Sequence, residues 1–238
     1  MDRDLVKILG YGVDSFTFDK AVEYAYSHHG QIVTINPEMI SEARKNKDFS
    51  EIVEHADLVV PDGIGVEIGL KILGHKVRRI PGIELGRALI VKFSDENKTV
   101  AFVGAKPEVV ESAVKMLRTD IQNLNVVYFH DGYFKDANII MDSLYQAKPD
   151  LVLVALGSPK QEFFIAEMKT RLPNSTFIGL GGSFDVWAGH VERAPEIYQN
   201  LGLEWLYRTI KEPKRFKRIF PTLPLFILSV LKERLFRR

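Results

Sequence analysis

The side chain best placed for chemistry is the carboxylate of Asp62. It follows Ala56-Asp57-Leu58-Val59-Val60-Pro61, which reads as a short buried strand stopped by proline. It precedes Gly63-Ile64-Gly65-Val66, two glycines and an apolar run that open a helix. In an open α/β sheet, ligands bind at the carboxyl ends of strands. The spacing therefore sets one carboxylate where chemistry happens, with flexible backbone on its far side. The plain alternative is that Asp62 only caps the helix starting near Ile64, since aspartate is a favoured cap. On that stretch alone the cap has the better claim, and the rest of the chain changes the balance.

Several other strand ends carry small or polar residues: Gly104-Ala105-Lys106-Pro107, His130-Asp131-Gly132, Gly157-Ser158-Pro159-Lys160-Gln161-Glu162 and Gly181-Gly182-Ser183-Phe184-Asp185. In parallel sheets these ends share one rim, and glycine lets backbone amides approach a phosphate. None fits G-x-G-x-x-G or a P-loop. For any single glycine, a tight turn is the simpler account. Four such ends on one rim favour a nucleotide pocket, with Gly104, Gly157, Gly181 and Gly182 in its wall.

The metal case is weak. The six histidines show no paired ligand spacing, and Asp131 and Asp185 belong to different units. There is no cysteine, which removes disulfides, thiolate metal sites and a cysteine nucleophile. The expectation is a site without metal or cofactor. A leaving diphosphate must then be neutralised by side chains, and arginine binds phosphate oxygens in pairs. The candidates are Arg78, Arg79 and Arg193, joined by Arg208, Arg215 and Arg218 near the end of the chain. Each taken singly has the alternative fate of a solvated surface charge.

The elements that must position these groups follow a regular order. A short strand spans Val6 to Gly10, a helix runs from Asp19 to His29, and a second strand covers Gln31 to Pro37. Two helices lead to the Asp62 strand, then come a helix from Gly65 to Leu73, a basic loop and a helix from Ile83 to Phe93. Strands beginning at Lys98, Asn125, Asp150 and Thr176 then alternate with helices beginning at Pro107, Asn138 and Lys160. This alternation predicts parallel βαβ units in a doubly wound, mostly parallel, Rossmann-like α/β sheet. We expect a core over residues 1–202 and a C-terminal helical, membrane-associating appendage over residues 203–238.

Charge supports that division. From Trp205 to Arg238 there are ten Lys/Arg and two Asp/Glu, whereas the rest holds 22 Lys/Arg and 29 Asp/Glu. An acidic body with a basic end is built to meet something anionic. Phe216 to Arg238 mixes its cations with Phe220, Leu223, Leu225, Phe226, Leu228 and Leu231, as suits a membrane interface. Pro221 and Pro224 are expected to break it into short helices. The plain alternative is a C-terminal helix packed on the core. Nucleic-acid binding through the same charges lacks a reading motif, so no nucleic-acid partner is expected. No run of 18 uncharged apolar residues exists, so no spanning helix is expected, and the charged first residues do not look like a secretory signal.

Thr34-Ile35-Asn36-Pro37, Pro61-Asp62-Gly63-Ile64-Gly65-Val66, Gly157 to Glu162 and Gly181 to Gly189 together resemble the WecG/TagA/CpsF glycosyltransferases. So do Arg193-Ala194-Pro195, Leu203-Glu204-Trp205-Leu206-Tyr207-Arg208 and Glu212-Pro213. The likeness runs in order over nearly the whole chain and is greatest to the family's teichoic-acid N-acetylmannosaminyltransferases. It implies a metal-independent, inverting transfer of N-acetylmannosamine from its UDP form. The acceptor would be N-acetylglucosamine on a polyprenyl diphosphate, met by a peripheral enzyme on the cytoplasmic membrane face. It also implies that Asp62 is the base, with Thr34 and Asn36 beside it. Pro61, Gly63, Gln161, Glu162 and Asp185 stand in these motifs and join the glycines and Arg78, Arg79 and Arg193 in the expected substrate pocket. A related transferase using another UDP-sugar, or a non-enzymatic nucleotide- or nucleic-acid-binding module with a basic arm, stays open on the residues alone. A homo-oligomer is compatible with all of these.

Overall fold

The computed structural model describes residues 3–200, 202–211 and 216–236. The chain opens with a hairpin, β1 (Leu5–Ile8) and β2 (Tyr11–Asp14), paired antiparallel with Ile8 opposite Tyr11. Leu9 and Gly10 both have positive φ, 51° and 96°, as a two-residue turn between twisted strands requires. The first strand expected from the sequence is thus one arm of a separate two-stranded sheet, and its partner β2 was not anticipated. Arg3 clamps the Asp14 carboxylate with two hydrogen bonds of 2.8 Å. Asp14 in turn accepts the backbone N–H of Val59, which ties the hairpin to the main sheet.

After α1 (Phe18–Ser27) and β3 (Gly30–Ile35) come α2 (Pro37–Ala43), α3 (Lys47–Glu54) and β4 (Leu58–Pro61). They are followed by α4 (Ile64–Ile72), α5 (Gly82–Asp95), β5 (Thr99–Gly104), α6 (Pro107–Asp120), β6 (Asn125–His130) and α7 (Ala137–Ala147). Next are β7 (Leu151–Ala155), α8 (Lys160–Arg171), β8 (Thr176–Gly179) and α9 (Ser183–Trp187). The chain continues through α10 (Glu196–Asn200), α11 (Glu204–Lys211) and α12 (Phe216–Phe236). The main sheet is six-stranded and parallel throughout, in the order β4-β3-β8-β7-β5-β6.

Strand residues alternate between the sheet's two faces. Ile32, Leu58, Val60, Phe102, Leu153 and Ile178 pack with α1, α5, α6 and Phe184 of α9. Val33, Ile35 and Val59 pack with α2, α3 and α4, while Val103, Val152, Val154 and Phe177 pack with α7 and α8. Helices therefore cover both faces, the doubly wound α/β arrangement expected from the sequence. Both faces are dry, which explains why the central strands read as unbroken apolar runs.

The C-terminal helix departs from expectation. Pro221 and Pro224 lie inside one continuous helix instead of dividing it. Both face solvent, where water can replace a lost backbone hydrogen bond, and the opposite side is held by packing. Phe226 and Val230 are buried among α2, α4 and the hairpin. Gly69 makes the contact close: a Cβ there would stand 2.7 Å from Ile8 Cδ1 and 3.1 Å from Phe226. At the far end, Glu233 accepts the backbone N–H of Leu9 at 2.8 Å, and Arg234 donates to the Ile72 carbonyl. Among the described residues no helix is long and apolar enough to cross a membrane.

Candidate active site

A cavity of about 260 Å³ opens at the carboxyl ends of β4, β3 and β8. It is walled by Thr34 and Asn36 from β3, Asp62 and Gly63 after β4, and Leu180, Gly182 and Ser183 after β8. Arg79, Pro81 and Gly82 close one side, and Glu204, Trp205, Thr222 and Leu223 close the outside. β3 and β8 are adjacent although the chain visits every other main-sheet strand between them. Such a reversal in strand order is where the crevice of an open α/β sheet lies.

Asp62 sits at its floor. The backbone N–H of Asp62 donates to the Ile35 carbonyl at 2.8 Å, which locks the residue to the end of β3. The cap of α4 is Gly63, and no side chain hydrogen-bonds there as a cap. The simple capping account of Asp62 therefore fails. Its carboxylate instead lies in the field of the backbone N–H groups of Gly63 and Gly82, which favour the ionised form. Burial, then the charge of Glu204, push its pKa up to about 6, against the opposing pull of Arg79 and the two amides. A carboxylate so placed is ionised at neutral pH yet far more basic than one in water.

The neighbours have identifiable local causes. Asn36 is the N-cap of α2, and its side-chain oxygen accepts from Glu38 N and Met39 N at 3.0 Å each. Since Ile35 pairs with Pro61, this places Asn36 level with Asp62. Thr34 is buried, with its hydroxyl 3.4 Å from the Gly179 carbonyl, a weak bond at best. Arg79 is half-buried in the loop before α5, and its backbone N–H donates to Glu67 at 2.9 Å.

The remaining expected residues divide. Pro61 forms the last position of β4, and Gly181 adjoins the cavity wall. Gln161 braces that wall: it accepts from Gly181 N at 3.0 Å and donates to Glu162 at 2.8 Å. The second Glu162 oxygen is buried with no partner among the described residues, and burial raises that carboxyl's pKa. Gly104 and Gly157, with φ of 125° and 76°, stand at the ends of β5 and β7, on the same rim but outside this cavity. Asp185 is also outside it, and its carbonyl accepts from His190 and Val191 in the turn after α9. Arg78 is exposed, and Arg193 pairs with Glu84 of α5. Arg215 lies outside the described residues. Arg208 and Arg218 belong to α11 and α12, and their side chains lie outside what is described.

Sequence reasoning did not single out Glu204, Trp205, Gly82, Thr222 and Leu223 as site residues. The one signal for Glu204 and Trp205 was their place in the Leu203 to Arg208 motif, and Gly202 shows how they arrive. It has φ of 70°, and a Cβ there would stand 2.8 Å from Ile64, so the chain can turn down onto α4 only with glycine. That turn delivers Glu204 and Trp205 to the cavity mouth. Nothing in the spacing of Glu204 from Asp62 could have announced their meeting.

Comparison with known proteins agrees with this geometry. A family model described as "Glycosyl transferase WecG/TagA/CpsF family" matches residues 6–238. A protein of Bacillus spizizenii named N-acetylglucosaminyldiphosphoundecaprenol N-acetyl-beta-D-mannosaminyltransferase is 38% identical over 203 residues, covering 85% of this chain and 79% of that one. A Bacillus subtilis protein of the same name is 35% identical over 219 residues, covering 89% of this chain and 85% of that one. The matched span takes in every wall of the cavity, and the chain belongs to the WecG/TagA/CpsF family of glycosyltransferases.

Proposed function

We propose that this enzyme transfers N-acetylmannosamine from UDP-N-acetylmannosamine to N-acetylglucosamine on undecaprenyl diphosphate. The product is the β-1,4-linked disaccharide lipid from which wall teichoic acid is built. The observation that carries this reading is Asp62, a basic carboxylate at the floor of a cavity beside one arginine, in a chain of this family. The names of the two Bacillus relatives supply the sugar and the lipid acceptor.

In this reading Asp62 takes the proton of the acceptor hydroxyl as its oxygen attacks the anomeric carbon. The new C–O bond forms on the face opposite the breaking bond to UDP, so configuration inverts, and the proton remains on Asp62. UDP leaves with added negative charge, which waiting donors must meet. Arg79 and the Gly182 backbone are at hand in the wall, and we assign Arg208, Arg215 and Arg218 to the diphosphate from the C-terminal side. Thr34 and Asn36 orient the acceptor and the base. No step requires a divalent cation.

The acceptor's lipid tail places the reaction at a surface, which we assign to the cytoplasmic face of the membrane. α12 suits that surface. Phe226 and Val230 face the body, while Phe220, Leu225, Leu228, Leu231, Leu235 and Phe236 are exposed. Such a row can enter the acyl boundary while the surrounding cations meet anionic headgroups. Because Thr222 and Leu223 also line the cavity, one helix joins the surface to the site. The test is UDP release and disaccharide-lipid formation from UDP-N-acetylmannosamine and lipid-linked N-acetylglucosamine. Transfer only from the corresponding uronic-acid donor would establish a related transferase instead. No release with either donor would leave a binding module.

A further inference from the structure

α5, whose first residues line the cavity with Asp62, begins without the usual means of closing its first turn. The N-cap of α5 is Pro81, with no side-chain cap, and proline carries no N–H. Glu84 is the third residue of the helix, the position from which an acid ordinarily reaches back to the N-cap N–H. Here that donor does not exist. Glu84 pairs instead with Arg193, which comes from the segment between α9 and α10. Arg193 is lodged in place: its Nε is fully buried with no acceptor among the described residues, and the next residue, Ala194, is buried.

Meanwhile the first residue of the same helix, Gly82, lines the cavity with Asp62, and its backbone N–H favours the ionised Asp62 carboxylate. The fit is close, since a Cβ on Gly82 would stand 3.2 Å from Thr34. One helix N-terminus thus has two carboxylates near it, Asp62 from β4 and Glu84 from its own first turn. A helix N-terminus carries about half a positive charge, and either carboxylate gains from it.

We propose that Arg193 is a positioning residue for the transfer reaction, holding Glu84 away from the N-terminus of α5 so that Gly82 serves Asp62 alone. The proposal rests on Asp62 being the base. It gives Arg193 a role that needs no contact with the diphosphate. The guanidinium also fixes the segment leading to α10 and α11, so the helix bearing Glu204 and Trp205 is tied to the helix that steadies the base.

Losing the Arg193 charge has a definite consequence. Glu84 would lose its partner, since Arg87 and Lys92 on the same helix face are already paired with Asp120 and Glu23, and it would compete for the amides and add its charge to the field at Asp62. The other charged groups in that cavity are Arg79 before α5, Glu38 of α2 and Glu204 of α11, and none of them is altered in the test. Asp62 would then hold its proton more tightly and be worse placed to take one from the acceptor.

The test uses the full chain and the variants Arg193→Gln, Arg193→Lys, Glu84→Gln and the double variant Arg193→Gln/Glu84→Gln. Two quantities are read: kcat and donor KM for transfer, and the titration of the Asp62 carboxyl in the ligand-free protein by carbon NMR. The Asp62 signal is assigned by its loss in Asp62→Asn. For Arg193→Gln we expect kcat to fall about tenfold or more with donor KM within about twofold, and the Asp62 midpoint to rise by about half a unit or more. Arg193→Lys, which keeps the charge, should restore most of both. Removing the stray anion in the double variant should bring kcat back to within about threefold of Glu84→Gln. An Asp62 midpoint that does not move in Arg193→Gln overturns the proposal. So does a kcat defect that persists undiminished in the double variant together with a raised donor KM, the signature of a direct diphosphate contact. If the wild type transfers no sugar, the proposed function fails, while the Asp62 titrations still decide this inference.

Discussion

Asp62 and Glu204 line the same cavity from opposite sides, one at the end of β4 and one at the start of α11. After burial, the Glu204 charge is the largest influence raising the Asp62 pKa to about 6. A base must be unprotonated to act, so kcat/KM should fall about tenfold per pH unit below that value. Glu204→Gln removes a like charge, lowers the Asp62 pKa and should move this acidic limb to lower pH. A pH profile of the two proteins checks it, and a limb that moves upward contradicts the arrangement.

The same shift predicts a stability effect. The folded-state pKa of Asp62 lies above its ordinary value of 3.8, so the folded protein binds this proton more tightly than the unfolded chain. Stability is therefore lost as pH rises from about 4 through about 6, and the penalty is fully present above that. Asp62→Asn should stabilise the protein at pH 7.5 by roughly 1–3 kcal/mol and much less at pH 4. Denaturant unfolding at the two pH values measures the difference. Equal effects at both would show that Asp62 has no raised pKa.

How much of this was legible depended on where the cause lay. β3, β4, β5, β7 and β8 are covered on both faces, so they stood out as apolar runs, and the helices between them followed from their own periodicity. β2 is four residues with no such run, and only the Leu9-Gly10 turn could have signalled it. Asp62 was legible as a residue at a strand end, but base and cap could not be told apart until Gly63 proved to be the cap. The rest of the site comes from long-range packing. Glu204 reaches the cavity of Asp62 because Gly202 turns onto Ile64, and α12 stays whole through two prolines because Phe226 and Val230 are buried.

The outward row of α12 gives a test of the membrane assignment that spares the core. Leu225 and Leu228 are 62% and 61% exposed. Replacing both with Gln should change the melting temperature little, because neither side chain is packed. Binding to vesicles containing anionic lipid should fall about tenfold or more, since each leucine entering the acyl region contributes about 1.5–3 kcal/mol. Vesicle binding equal to wild type would remove α12 from the membrane contact.

Cation supply makes a further prediction. Arg79 lines the cavity, and no three His, Asp or Glu side chains among the described residues are grouped to hold a metal ion. Full turnover is expected in excess chelator. Activity lost to chelator and restored by magnesium or manganese would contradict the arginine-based account of UDP departure.

The most direct measurement is the turnover of Asp62→Asn. The substitution keeps the shape of the side chain but removes its basicity. With UDP-N-acetylmannosamine and the lipid-linked acceptor, turnover should fall roughly 10²–10⁴-fold while donor binding changes little. A variant that transfers sugar at nearly the wild-type rate would contradict the assignment of Asp62 as the base.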